Sequence, residues 1–588
     1  MSASSLVFPG HPELPLLQGW YPEGGDQLAQ AWANSGGAGM LRLPAFPDPE
    51  ELRLRLRQFR ARTSGSFGLD IRGVLGPLRE SLDVAIQEGA TFLLQGSKLS
   101  DGLRQALDGC TLPRLASVSG PQEARVALSD RIEGLILEGQ EGWQRWMEEL
   151  RSSCNQSVLA NVEGSGASLR EWFARGLAGF QVRSPRTLRD GEGVFSEFRR
   201  RLSALGGASE CLESRLDPLP RLRIRNLNLP YPVVQGGMGV GVSWSGLAGA
   251  VARNGCVGTV SAIGTAYGHP EGVKFVQGRP NGPQELNSGP ALRRIIHDAL
   301  ENAQGHGAVA VNVLCAINDY DRVVREAVDA GAQMVISGAG LPLGLPELTK
   351  GSDAALVPIV SSARALKLLC KTWERKHGRL PDAVVLEGPE SGGHQGYSPD
   401  QCVDPAFALE SILPQVIAER DQWGSFPVIV AGGIWDNQDI RRFLALGAGG
   451  VQMGTRFVGT FECDASNVFK EVLLRSRKED IQLMKSPVGM PARGVRTQLL
   501  RDLEAGTAPR VACISKCLVP CEGGKGAMAA GYCIADRLAD AYQGKADSGL
   551  FFSGSNGYRL QELVSVRELV ETLTGDFGLE RLASLKGN

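Results

Sequence analysis

No stretch of the 588 residues approaches the ~20 consecutive apolar residues that span a bilayer, and the opening MSASSLVFPGHPE has neither the charged nor the apolar segment of a secretory signal. The expectation is a cytoplasmic protein with no membrane partner. Excess charge is missing too: 62 Lys and Arg stand against 64 Asp and Glu, a net charge of -2, which argues against nucleic acid as a partner. Cysteine is sparse, since twelve cannot staple a chain of this length, and most are expected to be small buried thiols. With 43% hydrophobic and 21% charged residues the chain lacks the polar bias of disorder and is long enough for more than one core.

Glycine is abundant: 75 of 588 residues, about 13% against a usual ~7%. Many of these glycines end short apolar runs. From about Pro232 such runs alternate with amphipathic stretches, as in PVVQGG, WSGLAGAVARNG and VGTVSAIG, then AVAVNVL, DYDRVVREAVDAGA and QMVISGAG. VPIVSS, DAVVLEG, FPVIVAGG and GGVQMGT continue the series. Repeated glycine-rich strand ends predict a parallel β/α barrel with its ligand at the C-terminal face, an open doubly wound sheet being the competing geometry.

The chain also repeats itself. PLLQGWYPEGG from residue 15 echoes PVVQGGMGVGV from 232, LILEGQEGW at 135–143 echoes VVLEGPESGGH at 384–394, and ARGLAGFQVRS at 174–184 echoes ALGAGGVQMGT at 445–455. Three matches in one order predict two tandem parallel β/α (TIM-like) barrels: a degenerate one over 1–205, a linker at 206–228 and a second barrel over 229–461. A helical extension carrying a Cys cluster is expected over 462–588, packed on a barrel end.

At QGGMG, VNV, ISGAGLP, EGPESGGHQG, VAGGI and VQMGTRF the sequence resembles the nitronate monooxygenase family, which includes FMN-dependent enoyl-acyl-carrier-protein reductases. The resemblance covers roughly 230–570 and implies an FMN-binding barrel. It places Gly236, Gly237, Met238, Asn312, Glu387, Gly392, Gly393 and Gln452 at the flavin. Gly236 and Gly237 remove side chains where a ring must lie on backbone, although a tight turn would use the same residues. Gly432–Gly433 and Gly454–Thr455 end two successive strands, where loops commonly hold a phosphate on backbone N–H groups. Asn312 is polar within an apolar strand; the resemblance makes it a flavin contact, and a satisfied core amide is the alternative.

His394 is the catalytic candidate. It lies in the glycine-flanked loop SGGHQG just beyond a strand, where nothing in strand or helix packing demands an imidazole. An imidazole's ordinary pKa, about 6.5, suits proton transfer. Cys513, Cys517, Cys521 and Cys533 form C-x3-C-x3-C-x11-C, four of twelve cysteines within 21 residues. That set suits Zn or an iron-sulfur cluster; buried thiols around a helix are the alternative. The first copy has lost the site positions: Trp20 stands for Gly237, and Arg183–Ser184 for Gly454–Thr455. It is expected to be a structural or partner-binding barrel, through which a protein partner or a second copy of the chain would dock.

The function these observations point to is oxidation of a nitronate or similar activated carbon acid by an FMN-dependent oxidoreductase, with His394 as acid or base. One alternative runs the same site in reverse as an enoyl-thioester reductase with NAD(P)H as co-substrate. A scaffold with a structural metal is the other.

Overall fold

The computed structural model describes residues 38–118 (except 64, 97 and 98), 218–267, 287–508 and 517–575. Short pieces at 16–18, 29–30, 33–34, 123, 127, 132, 134–137, 157–162, 179–182, 275–276 and 279–280 are described as well. The chain divides into two compact units, Met1–Asp217 with Gly575–Gly587 and Pro218–Thr574 with Asn588. Among the described residues no helix is long and apolar enough to cross a membrane.

The first unit holds eight parallel strands: β1 (Leu16–Gln18), β2 (Gly39–Arg42), β3 (Phe67–Asp70), β4 (Phe92–Gly96), β5 (Arg114–Val118), β6 (Gly134–Leu137), β7 (Ser157–Val162) and β8 (Gly179–Val182). Their order, β1-β8-β7-β6-β5-β4-β3-β2, is the cyclic order of a β/α barrel, hydrogen-bonded among the described residues at every step but β1 to β2. The period-two alternation of strands sorts the core. Leu41, Leu69 and Leu93 pack with Leu52, Leu56 and Phe59 of helix Pro49–Arg60, while Met40, Phe92, Leu94, Leu115 and Ile136 form a separate cluster. That helix starts as its sequence dictates, with Asp48 accepting from Glu51 N at 2.8 Å, Pro49 in the first turn and two glutamates following. At the C-terminal ends of β2 and β3 the buried Asp70 carboxylate takes Arg42 at 2.9 Å and Arg72 at 2.8 Å.

The second unit is a closed barrel of eight parallel strands. β11 (Val233–Gln235), β12 (Val257–Ser261), β15 (Ala308–Leu314), β16 (Met334–Gly338), β17 (Ala355–Val360), β18 (Val384–Glu387), β20 (Val428–Ala431) and β21 (Gly450–Met453) follow one another, and β21 pairs back to β11. The hairpin β9 (Leu222–Ile224) and β10 (Leu227–Leu229) precedes them. Leu222, Ile224 and Leu229 join the barrel's inner core with Val234, Val257, Ala308, Met334 and Ala355, residues at or next to the strand starts, so the hairpin plugs the N-terminal end. Residues 218–229 therefore fold with the barrel, so 218–228 are not part of a linker as expected; 206–217 lie outside the described residues. A second hairpin, β13 (Phe275–Val276) and β14 (Arg279–Pro280), lies between β12 and β15.

Alternation along each strand sets what reaches the barrel mouth. On β15 the inward row reads Ala308, Ala310, Asn312; on β18 Val385 is followed by Glu387; on β21 Gln452 stands in register with the inward Val234. Small and apolar residues fill the lower layers, and a polar layer sits on top.

The extension is not purely helical, in contrast to the sequence expectation. Besides helices Asn467–Leu474, Gln498–Glu504, Ile534–Tyr542 and Val566–Thr574 it carries the hairpin β22 (Ile481–Lys485) and β23 (Pro491–Val495), which pairs with the two-residue strand β19 (Gly393–His394). Ser486–Met490 forms the turn of that hairpin, so the SPVGMP run reads as loop chemistry rather than helix. Asp464 anchors the extension to the barrel by accepting N–H bonds from Trp244, Gly246 and Leu247 at 2.8 to 3.0 Å, capping helix Ser245–Arg253 from outside. Asp464→Ala strands those donors, so we expect a stability loss of about 1–3 kcal/mol, read as a lower urea midpoint of the full chain. An unchanged midpoint would show that water replaces the carboxylate.

Candidate active site

A cavity of about 480 Å³ opens at the C-terminal end of the closed barrel. Every flavin and catalytic candidate named from the sequence, from Gly236 to Thr455, lines it. So do residues that sequence reasoning missed, among them Arg456, Met490, Phe552, Gly554 and Asn556.

One side of the cavity is a cradle of backbone. Gly432 and Gly433 follow β20 with φ of 105° and 75°, a region that only glycine adopts freely. A Cβ on Gly432 would meet Ser391 N at 3.0 Å and Gly388 O at 3.1 Å. Gly454, after β21, is different: among the described residues an added Cβ would find only Met238, its Sδ at 3.5 Å, and none of them requires glycine there by packing. The segment SGSNG at 553–557 ties the two loops together. Gly554 N donates to Thr455 Oγ1 at 2.9 Å, Asn556 Nδ2 to Gly433 O at 2.6 Å, and Ser555 N to Glu390 O at 3.0 Å.

Three buried polar atoms of residues that line the cavity have no partner among the described residues, Gln395 Oε1, Gln452 Oε1 and Arg456 Nε. An unmet buried acceptor or donor costs of the order of 1–3 kcal/mol, so such atoms point to a bound group. Arg456 lies over Trp435 with 5.0 Å between Cζ and the ring centre, and burial holds its guanidinium down to about 10. Gly237 is required by packing, because a Cβ there would collide with Asn312 Cβ. Asn312 Nδ2 makes one long bond, 3.4 Å, to Ile336 O, so it is only weakly satisfied by the core.

His394 is held from the extension. Its strand pairs with β23, opposite Ala492; Nε2 is 2.8 Å from Ser486 Oγ; and the ring meets Phe552 edge-on at 5.5 Å. Burial lowers its pKa to about 4, so the imidazole is neutral at neutral pH. The loop that carries it is pinned by Arg493 of β23, whose guanidinium donates to Pro389 O and to Ser391 O. Glu387 is shifted the other way: burial pushes its carboxyl up to about 7, with a Ser391 hydrogen bond opposing. Tyr397 donates to the Glu387 backbone oxygen at 2.8 Å and fixes that strand end. One cavity thus holds a carboxyl that keeps its proton to near neutrality and an imidazole that does not take one.

The model of the family described as "NMO: Nitronate monooxygenase" matches residues 222–576, more than half of the chain. The chain belongs to the nitronate monooxygenase family. Membership makes it an oxidoreductase. A nitronate monooxygenase of Pseudomonas aeruginosa is 30% identical over 309 residues, 48% of this chain and 82% of the relative. A probable nitronate monooxygenase of Staphylococcus haemolyticus is 24% identical over 291 residues, 48% and 79%. Among solved structures, FabK from Thermotoga maritima is 24% identical with a TM-score of 0.45, covering 61% of this chain and 96% of its own. Nitroalkane oxidase from Streptomyces ansochromogenes is 22% identical, also at 0.45, covering 61% and 98%.

The cysteine set does not form a metal centre among the described residues. Cys513 lies outside them, and Cys517, Cys521 and Cys533 do not converge: the one group of three His, Cys, Asp or Glu side chains close enough to share an ion is His297, Asp298 and Glu301, on the outer face of a helix. The three described thiols sit on different local structures: Leu518, next to Cys517, pairs as an extended residue with Ile317, Asn318 N donates to Cys517 O, and Cys533 precedes a separate helix. Of the other described histidines none lines the cavity: His297 is exposed, His306 bonds Arg253 O and His377 bonds Leu343 O; His11 and His269 fall outside the described residues.

Proposed function

We propose that the second barrel binds FMN and oxidises a nitronate or similar activated carbon acid. The observation that carries this reading is the combination of a glycine cradle with buried atoms that have no partner among the described residues, Gln395 Oε1, Gln452 Oε1 and Arg456 Nε, in one cavity. These residues fit the group. Backbone N–H groups of Gly432–Gly433 and Gly454–Thr455, with the 553–557 segment, would hold the phosphate; Gly236, Gly237, Met238, Asn312, Gln452 and Glu387 would hold the ring. When bound, FMN accepts the electron pair released at the substrate carbon.

The chain's own part is proton handling and orientation. Neutral His394 accepts the proton when the substrate arrives as the nitro form: the C–H bond breaks, and the proton moves to the imidazole, which Ser486 Oγ keeps in place. Glu387, still protonated below about 7, faces an anionic head group without repulsion and donates a hydrogen bond to one of its oxygens. The pH sign follows. Below about 7 the carboxyl is neutral and the anion binds; above it the carboxylate repels the anion, and KM rises. Glu387→Gln should abolish that rise while keeping a donor, and a KM profile that still climbs near 7 would assign it to another group.

The first unit is read as a copy that gave up its site. Three sequence echoes fall on the first, sixth and eighth strands of each sheet, β1, β6 and β8 against β11, β18 and β21. The substitutions Trp20 and Arg183 lie outside the described residues, but the Arg42–Asp70–Arg72 cluster at two strand ends supports the same reading. Flavin analysis of the full chain should give one FMN; two per chain would make the first unit a second flavin site.

A further inference from the structure

We propose that the side of the cavity opposite the glycine cradle is a subsite for an unbranched aliphatic chain, so that the substrate is a long-tailed carbon acid and not a small one. This rests on the oxidoreductase reading of the same cavity. Around the closed barrel β15 stands four strands from β20, and β16 four strands from β21, so each faces the strand whose loop builds the cradle. At and beyond the ends of β15 and β16 the cavity is lined by Leu314, Ala316, Ala339, Gly340 and Leu341, and the extension adds Leu518, Ile534 and Leu538. None of these side chains has a polar atom, Asn312 lower on β15 being the polar residue on this side, whereas Glu387 and Gln452 stand on β18 and β21, the two neighbours of the cradle strand β20.

The wall is built and not merely left over. Leu518 is buried and fixed by its bridge to Ile317 and by Val519 N donating to Ala316 O at 2.9 Å. Ile534 and Leu538 are one helical turn apart on helix Ile534–Tyr542, so they present one face, and both are buried. Tyr532 OH, donating to Lys485 O at 2.8 Å, ties the start of that helix to the hairpin that carries Ser486. In the same segment Val519 and Met528 reach solvent, 58% and 65% exposed, with Glu522 and Lys525 between them in sequence. The cysteine-bearing stretch that suggested a metal thus supplies an apolar wall, and its thiols flank the residues that face the cavity. A substrate with a polar, planar head and an apolar tail matches this two-ended cavity; a short nitronate would leave the apolar end wet.

The test uses the flavin-loaded full chain and a series of straight-chain carboxylates, butanoate to decanoate, whose planar oxygen pair imitates a nitronate head without reacting. Titration calorimetry is run at a pH below the Glu387 midpoint of about 7. Affinity is expected to rise about fourfold per added methylene, roughly 250-fold from butanoate to octanoate. Ile534→Trp and Leu538→Trp should flatten that slope by filling the subsite. A flat wild-type series, or no binding by any member, overturns the proposal even if neither variant folds; an unaltered slope in folded variants overturns the placement. The series is independent of turnover: a steep slope with a flavin that no nitronate reduces would reject the oxidative reading and support the subsite.

Discussion

His394→Ala is expected to lower kcat by about 10²-fold or more with its flavin content unchanged, the size of effect usual for a lost acid or base. The geometry separates its chemical role from a structural one. The ring is held by Ser486 and Phe552, both from the extension, and its backbone is held independently by the β19–β23 pairing and by Arg493 below the loop. Removing the imidazole therefore leaves the loop in place. Ser486→Ala should cost less, since the base remains and only its orientation loosens; His394→Asn, polar but not basic at neutral pH, should be nearly as slow as alanine. Because burial lowers the imidazole pKa to about 4, wild-type turnover on the nitro form should fall only as the pH drops through that region. Alanine at 394 with near wild-type turnover would make the residue a bystander.

The second large effect concerns two glycines that look alike in sequence. Gly454→Leu should yield a folded protein with little or no flavin, because among the described residues the only atoms near a Cβ there are those of Met238 at 3.5 and 3.7 Å, and Gly454 lines the cradle. Gly237→Leu should instead damage the barrel, since its Cβ collides with Asn312 on the neighbouring wall. Circular dichroism and flavin absorbance on both variants distinguish the cases: native fold without flavin for the first, loss of both for the second. Full flavin occupancy in Gly454→Leu would move the phosphate site elsewhere.

All eight strands of the second barrel are legible in the sequence because each is an apolar run buried on both faces and stopped by glycine or another small residue, as in AVAVNVL and VPIVSS. Asn312 and His394 stand out for a related reason: each is a polar group in a place where local packing has no use for one. The rest of the site depends on pairings across long sequence separations. Ser486 and Phe552 meet His394 from 92 and 158 residues away, and SGSNG at 553–557 reads locally as a turn, with nothing to show that it bridges Thr455 and Gly433. The cysteine spacing does not by itself fix a ligand set: Cys513 lies outside the described residues, and Leu518, between Cys517 and Cys521, is extended. The strands Leu222–Ile224 and Leu227–Leu229 are too short to stand apart from a linker, although their alternation LRI and LNL carries the buried face that plugs the barrel.

The most direct test of the oxidative reading is anaerobic mixing of the purified full chain with an alkyl nitronate and, in parallel, with NADH and with NADPH, followed by flavin absorbance. The expected result is that the nitronate alone bleaches the visible flavin bands of one FMN per chain, and that this reduction slows about 10²-fold or more in His394→Ala when the nitro form is supplied. A flavin that stays oxidised with every nitronate while NADH or NADPH bleaches it would contradict that reading and assign the cavity to a reductase.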